Sequence, residues 1–335
     1  GAIALHDGNG VPLRLLGTGS SRLLVTGLQR AAANKASIVL IDELEYGLEP
    51  HRLVRLLGSL GAKEQGAPLQ AFVTTHSPVA VRELNGDQVF VVRSQPAGHH
   101  LVQPVGTADD VQSTIRLDPE AFLARTVIVC EGASEVGLVR GLDQYYVNQG
   151  YRSLLASNVA YVNVGGSEPD RCFVRGTALL KLGYRAIVLV DNDKPPTPAV
   201  VAQFVEAGGQ FVSWRPGRAL EDELFLSLRI DADKSLVELA LEFTEDGIVD
   251  AHIRTQSQGQ ATLELIYAEE RETGNLSFAT RQLLGFASRK GKNGWFKSVT
   301  KYERVARDVI GPALPNAEQE FVQLINTLVG LAHAA

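Results

Sequence analysis

The sequence predicts an α/β protein in which mostly parallel sheets are followed by a helical region. Three observations predict it. Short apolar runs ending in acids or small polar residues recur through the first two thirds of the chain, helical patterns separate them, and after Leu226 only helical periodicity remains. The 335 residues suffice for two or three domains of about 100–200 residues, each burying its own core.

Ser37–Ile41 reads as an apolar strand running into Asp42-Glu43, Ala71–Thr75 as a second ending at His76, and Gln88–Val92 as a third. Ala97–Asp110 is rich in Gly, His and Asp and weakly periodic. Asp118-Pro119-Glu120 reads as a helix start, which places a boundary near Thr107–Ala124. A second unit then runs through strand Thr126–Cys130, helix Ser134–Tyr146, strand Val159–Val164 and a helix ending at Leu180. Strand Ala186–Val190, helix Pro198–Ala207 and strand Gln210–Ser213 complete it. Four strands with intervening helices imply crossover connections and a mostly parallel sheet. Lys234–Phe243, Ala261–Thr273, Ser277–Phe286 and Glu318–Ala332 have amphipathic helical spacing. The expected organisation is residues 1–106, a linker over 107–125, a catalytic core over 126–230, and a helical domain with a basic segment over 231–335.

Two constellations carry chemistry. In the first, Asp42-Glu43 after an apolar strand is a Walker B pattern, Gly17-Thr18-Gly19-Ser20 opens a helix with free backbone amides, and Thr74-Thr75-His76 ends the next strand. No G-x-x-x-x-G-K-[ST] motif occurs. In the second, Glu131-Gly132 ends one strand and Glu135 follows one helical turn later. Asp191-Asn192-Asp193 ends another, and Glu221-Asp222-Glu223 follows a third. The carboxyl edge of an open parallel sheet is where ligands bind. Carboxylates within about 4 Å repel by roughly 1–4 kcal/mol per pair at effective dielectrics of 80 to 20, so they bind a proton or a cation. Oxygen-only donors select a hard ion: Mg²⁺, Mn²⁺ or Ca²⁺.

The first constellation resembles the C-terminal lobe of an ABC-type ATPase. The resemblance casts Gly17, Gly19 and Ser20 as the signature loop, Asp42 and Glu43 as Walker B, Gly47-Leu48-Glu49-Pro50 as the D-loop and His76 as the switch histidine. Glu-Gly-x-x-Glu, then Gly165-Gly166, then Asp-x-Asp resembles a Toprim domain. Their order resembles the OLD nucleases (overcoming lysogenisation defect), and the helical region with the basic C-terminal segment resembles the class 2 members, which accompany a UvrD-like helicase in phage defence. That resemblance implies DNA cleavage with two Mg²⁺ or Mn²⁺ ions held by Glu131, Glu135, Asp191 and Asp193, with Glu221 and Glu223 as further acids. It implies Lys297, in Gly294-Trp295-Phe296-Lys297, as a catalytic lysine. It also implies an ATPase half that binds ATP only with N-terminal sequence, and a homodimer. The other readings are a Toprim strand-passage or primase-type enzyme and a non-catalytic, ATP-gated DNA-binding repair protein.

Charge is unevenly spread within a net −6. Ala219–Asp250 holds ten acids against two bases, and Arg271–Arg307 nine bases against two acids. An acidic stretch followed by a basic one fits a metal site beside a phosphate-binding surface. Within the basic segment Arg289, Lys290 and Lys292 are expected to contact DNA, whereas Phe278 and Phe286 fall on an apolar helical stripe. Two cysteines are too few for a disulfide framework and no apolar run spans a bilayer, so a cytoplasmic setting without membrane contact is expected.

Overall fold

A computed structural model describes residues 6, 8, 10–32, 37–64, 69–166, 168–291 and 294–334. They divide into two compact units, Gly1–Leu123 and Ala124–Ala335. Among the described residues no helix is long and apolar enough to cross a membrane.

In the first unit, strand β1 (Ser37–Ile41) pairs in parallel with β2 (Leu69–Val73). Helices α1 (Thr18–Ala32), α2 (Pro50–Ser59) and α3 (Pro78–Glu83) accompany them. Pro50 and Pro78 sit at the first helical position, where the missing N–H costs nothing. Leu44, Leu53, Leu56, Leu57, Leu69 and Ala80 form the core. β2 ends two residues earlier than the pattern implies, because the Thr74 and Thr75 hydroxyls turn to Asp42 and Glu45. β3 (Phe90–Ser94) is likewise displaced from Gln88–Val92 and pairs antiparallel with β4 (His100–Pro104), a strand the weak periodicity of Ala97–Asp110 conceals. The segment 107–125 is not an open linker. It carries α4 (Asp109–Leu117), whose Val111, Thr114 and Ile115 are buried.

The second unit is built on a four-stranded parallel sheet of order β6-β5-β7-β8: β5 (Thr126–Cys130), β6 (Val159–Asn163), β7 (Arg185–Val190) and β8 (Gln210–Ser213). Every residue of β5 is buried, as expected of a central parallel strand covered on both faces. Helices α5 (Ala133–Asn148), α6 (Asp170–Lys181) and α7 (Pro198–Glu206) connect the strands.

After β8 the chain is helical: α8 (Leu220–Ser227), α9 (Ile230–Phe243), α10 (Ile248–Gln256), α11 (Leu263–Thr273) and α12 (Phe278–Ser288). α13 (Val299–Val305) passes through a π turn at Ala306–Ile310 into α14 (Gly311–Ala313), and α15 (Gln319–His333) ends the fold. Sheet and helices share one core that runs from Ile128 and Leu189 through Phe225 to Trp295, Phe296 and Tyr302. The helical region is therefore continuous with the sheet rather than a separate lobe.

Two glycines allow α13 to lie against α5. A Cβ on Gly137 would stand 2.5 Å from Val299 O, and one on Gly141 2.2 Å from Glu303 O.

Candidate active site

In the first unit, the expected nucleotide-binding residues gather at the ends of β1 and β2. Thr74 Oγ1 donates to Asp42 Oδ1 at 2.5 Å and accepts from Glu43 N at 2.9 Å, while Arg22 donates to Glu43 O at 2.7 Å. Glu43 takes a left-handed backbone, φ 46°, so its carboxylate leaves the strand direction at a sharp turn. Gly17 precedes α1, and Gly19 touches the Gly47 carbonyl so closely that a Cβ would lie 2.4 Å from it. Ser20 Oγ accepts from Arg52 at 3.3 Å. The His76 backbone N–H donates to Glu45 Oε1 at 2.7 Å and its side chain is exposed.

In the second unit, four carboxyl groups meet at the carboxyl edge of the sheet. β5 delivers Glu131 and, through the first turn of α5, Glu135. The Gly132 N–H donates to Glu135 Oε2 at 2.7 Å, which closes a capping box at the start of α5. Gly132 has no side chain, so a Cβ there would lie 3.3 Å from that same oxygen. Glu131 Oε2 accepts from Asp191 N at 3.1 Å, which ties the ends of β5 and β7 together. Asp191 Oδ1 in turn accepts from Leu220 N at 2.9 Å, at the start of α8 that carries the buried Glu221.

Burial and mutual repulsion hold these groups toward their protonated forms. Burial comes first for each. The charges of Glu221 and Glu131 add to it at Glu135, which is pushed up to about 7. Asp191 is pushed well above the usual carboxylate range by burial and then by Glu135, Glu221 and Glu131. Glu221 is raised by burial, and Lys297 partly offsets this, so the lysine stands near enough for its charge to act on the cluster. Lys297 itself is exposed and donates to Gly291 O at 3.1 Å.

The structure corrects several expectations. Glu223 does not join the four acids. It is fully buried, paired with Arg215 at 2.8 Å and Arg218 at 3.2 Å, and hydrogen-bonded by Ser227 at 2.9 Å. Those partners, Arg215 foremost, outweigh burial and hold its carboxyl low. Asp193 lies at the rim, where Arg289 pairs with it at 2.8 Å. Arg289 is thus not a freely presented DNA contact: it also reaches Asp222 at 3.4 Å and lies over the Phe286 ring, 5.0 Å from its centroid. Lys290 is half-buried, with its charge bearing on His252. Lys292 lies outside the described residues. Phe278 is 65% exposed rather than on a buried stripe.

Asp222, read in the sequence only as the middle of three successive acids, and Tyr302 were not assigned to the site. Asp222 is buried behind Glu221, with Oδ2 accepting from Ala219 N at 2.9 Å and Oδ1 without a partner. Tyr302 is fully buried with an unpartnered hydroxyl, and the carboxylates of Glu221, Glu135 and Asp191 act on it. The glycine pair on α5 was the only local sign that something would pack there.

A set of carboxyl groups whose ionised forms repel one another has the oxygen donors that suit a hard divalent cation. As the side chains stand, no group of three or more His, Cys, Asp or Glu residues among the described residues is arranged to hold a metal ion. The fit therefore lies in donor type and charge.

An ATPase-like part followed by a Toprim domain is the class that fold and site define. Residues 3–82 match the family model "AAA domain, putative AbiEii toxin, Type IV TA system". Residues 122–193 match "Overcoming lysogenization defect protein-like, TOPRIM domain", so the chain carries an OLD-like Toprim domain after an AAA-type segment. Solved structures similar to this chain include the C-terminal region of the Burkholderia pseudomallei OLD protein. It is 17% identical, with 57% of this chain and 98% of that chain covered and a TM-score of 0.29. The C-terminal region of the Xanthomonas campestris pv. campestris OLD protein is another, at 16% identity, 58% and 95% coverage and a TM-score of 0.27. No curated protein matches.

Proposed function

We propose that the chain is a metal-dependent nuclease that hydrolyses phosphodiester bonds in DNA. The observation that carries this reading is the cluster of the buried Glu135 and Glu221 with the half-buried Glu131 and Asp191 at the carboxyl edge of a Toprim sheet, with the Lys297 charge acting on Glu221. Glu131, Glu135, Asp191 and Glu221 would hold Mg²⁺ or Mn²⁺, with Asp193 at the rim. When bound, such ions supply an activated water and stabilise the departing oxygen. The chain's own contribution is placement and charge. The capping box holds the Glu135 carboxylate, backbone N–H groups orient Glu131 and Asp191, and Lys297 brings positive charge to a phosphate in which negative charge develops. Burial of the cluster lowers the local dielectric, which strengthens each of these interactions.

The test is supercoiled plasmid incubated with Mg²⁺, Mn²⁺, Ca²⁺ or EDTA, beside Lys297→Ala and Asp191→Ala. Nicking or linearisation that needs metal and disappears in both variants is expected. An intact plasmid under every metal, with DNA binding retained, refutes catalysis by this chain. The UvrD-like helicase partner, the homodimer and the use of ATP by Gly17–Ser20, Asp42, Glu43 and His76 belong to the same proposal. Co-purification and nucleotide titration of a longer chain test them.

A further inference from the structure

A cleft of about 280 Å³ opens beside Lys297. One wall is the end of α9 and the start of α10, with Phe243, Thr244, Glu245 and Ile248; the other carries Lys297 and Lys301. Its size lies at the lower end for small-ligand pockets, which run from roughly 300 Å³, and exceeds what one phosphate group needs.

The charges around it are unequally compensated. Arg304 is paired with Glu242, and Arg289 with Asp193. Lys297 and Lys301, by contrast, donate only to backbone carbonyls, Gly291 O at 3.1 Å and Trp295 O at 3.4 Å, and among the described residues neither is in an ion pair. Lys301 Nζ lies 5.8 Å from the Phe243 ring centroid, so the ring supports an extended lysine side chain. Arg304 covers the same ring at 5.3 Å, which leaves the aromatic edge and Ile248 as apolar wall rather than as a stacking platform. Two ammonium groups outside any ion pair face a wall whose apolar part is Phe243 and Ile248, with Thr244 and the acidic Glu245 beside them, and a phosphate joined to a sugar complements the lysines and that apolar part. The cleft also lies toward the acid cluster: Lys297, which lines it, donates to Gly291 O at 3.1 Å, and Arg289, two residues before Gly291, pairs with Asp193 at 2.8 Å.

We propose that this cleft holds one nucleotide of the DNA strand next to the bond that is cut, with its phosphate between Lys297 and Lys301 and its sugar against Phe243 and Ile248. The assignment rests on the nuclease reading and adds Lys301 and the α9–α10 wall to it. Lys301 is a binding residue, not a catalytic one.

The test uses the full chain and a fluorescein-labelled single-stranded oligonucleotide. Binding is followed by anisotropy over a series of salt concentrations with Ca²⁺ present, and plasmid nicking with Mg²⁺ is measured in parallel. Lys301→Ala is expected to weaken binding about 3–10-fold and to reduce the salt slope by about 1, as removal of one phosphate contact does. Lys301→Arg should restore both. Thr244→Trp fills the cleft while keeping both lysines, and should weaken binding with little change in salt slope; its melting temperature confirms folding. Wild-type affinity and salt slope in both Lys301→Ala and Thr244→Trp overturn the subsite, whether or not the plasmid is cut. If the plasmid stays intact under every metal yet both variants weaken binding, the nuclease reading falls and the cleft stands as a DNA site.

Discussion

Glu135 shows how burial and neighbouring charge act on one carboxyl group. Its folded pKa of about 7 lies above the ordinary 4.5, so the folded chain binds a proton that the unfolded chain releases between those values. The resulting stability is fully present below about pH 4.5 and is lost as pH rises through 7. We expect chemical denaturation of the metal-free chain to give lower stability at pH 7.5 than at pH 5, by on the order of 1–3 kcal/mol, and Glu135→Gln to flatten the profile. Added Mg²⁺ should recover stability at pH 7.5, because neutralising the cluster does what the proton did. Arg289 acts at the opposite sign. Arg289→Ala strips the partner from Asp193 and from the buried Asp222, and thermal denaturation at neutral pH should report a loss of about 1–3 kcal/mol. Of these residues, Glu131, Glu135 and Asp191 were legible in the sequence because a strand or its first helical turn delivers them to one edge. The pairing of Arg289 with Asp193 and Asp222 and the burial of Tyr302 were not, because they depend on α8, α12 and α13 folding back from far along the chain. Glu223 misled because adjacent residues on a helix face different ways, and it meets Arg215 instead.

Among the elements, the contact of α5 with α13 packs the buried Tyr302 against Gly137, two residues from Glu135, and Lys297 lies just before α13. Gly141→Val should disrupt it: the first added carbon alone would stand 2.2 Å from Glu303 O and 2.6 Å from Ala306 Cβ. Overpacking of this kind costs typically 1–3 kcal/mol or more, and a fall in melting temperature together with lost plasmid cutting is the expected result. The strands of the second unit were readable to within a residue or so, because buried parallel strands are short unbroken apolar runs. α8 was missed as a helix because all eight of its residues are buried, acids included, which erases the polar face that marks an amphipathic pattern. α10 and α13, of nine and seven residues, are too short for periodicity to stand out.

Across the whole molecule, the order of an AAA-type segment followed by an OLD-like Toprim domain was legible from motifs alone, and the boundary expected near Thr107–Ala124 contains the division between Leu123 and Ala124; α4, with its buried residues inside that stretch, was not legible. All four clustered acids and Lys297 belong to the second unit. Residues 124–335 produced separately should therefore keep metal-dependent plasmid cutting, and EDTA should abolish it; an inactive but folded product would show that the first unit is required. The two tryptophans, Trp214 and Trp295, both lie in that second unit and are almost completely buried. Trp295 Nε1 donates to His252 Nδ1 at 3.2 Å, only two residues from Lys297. Intrinsic tryptophan fluorescence is therefore blind to the first unit, whereas circular dichroism sees the helices of both. A denaturation followed by both signals would give one midpoint for a chain that melts as a whole, and two for one whose halves let go separately.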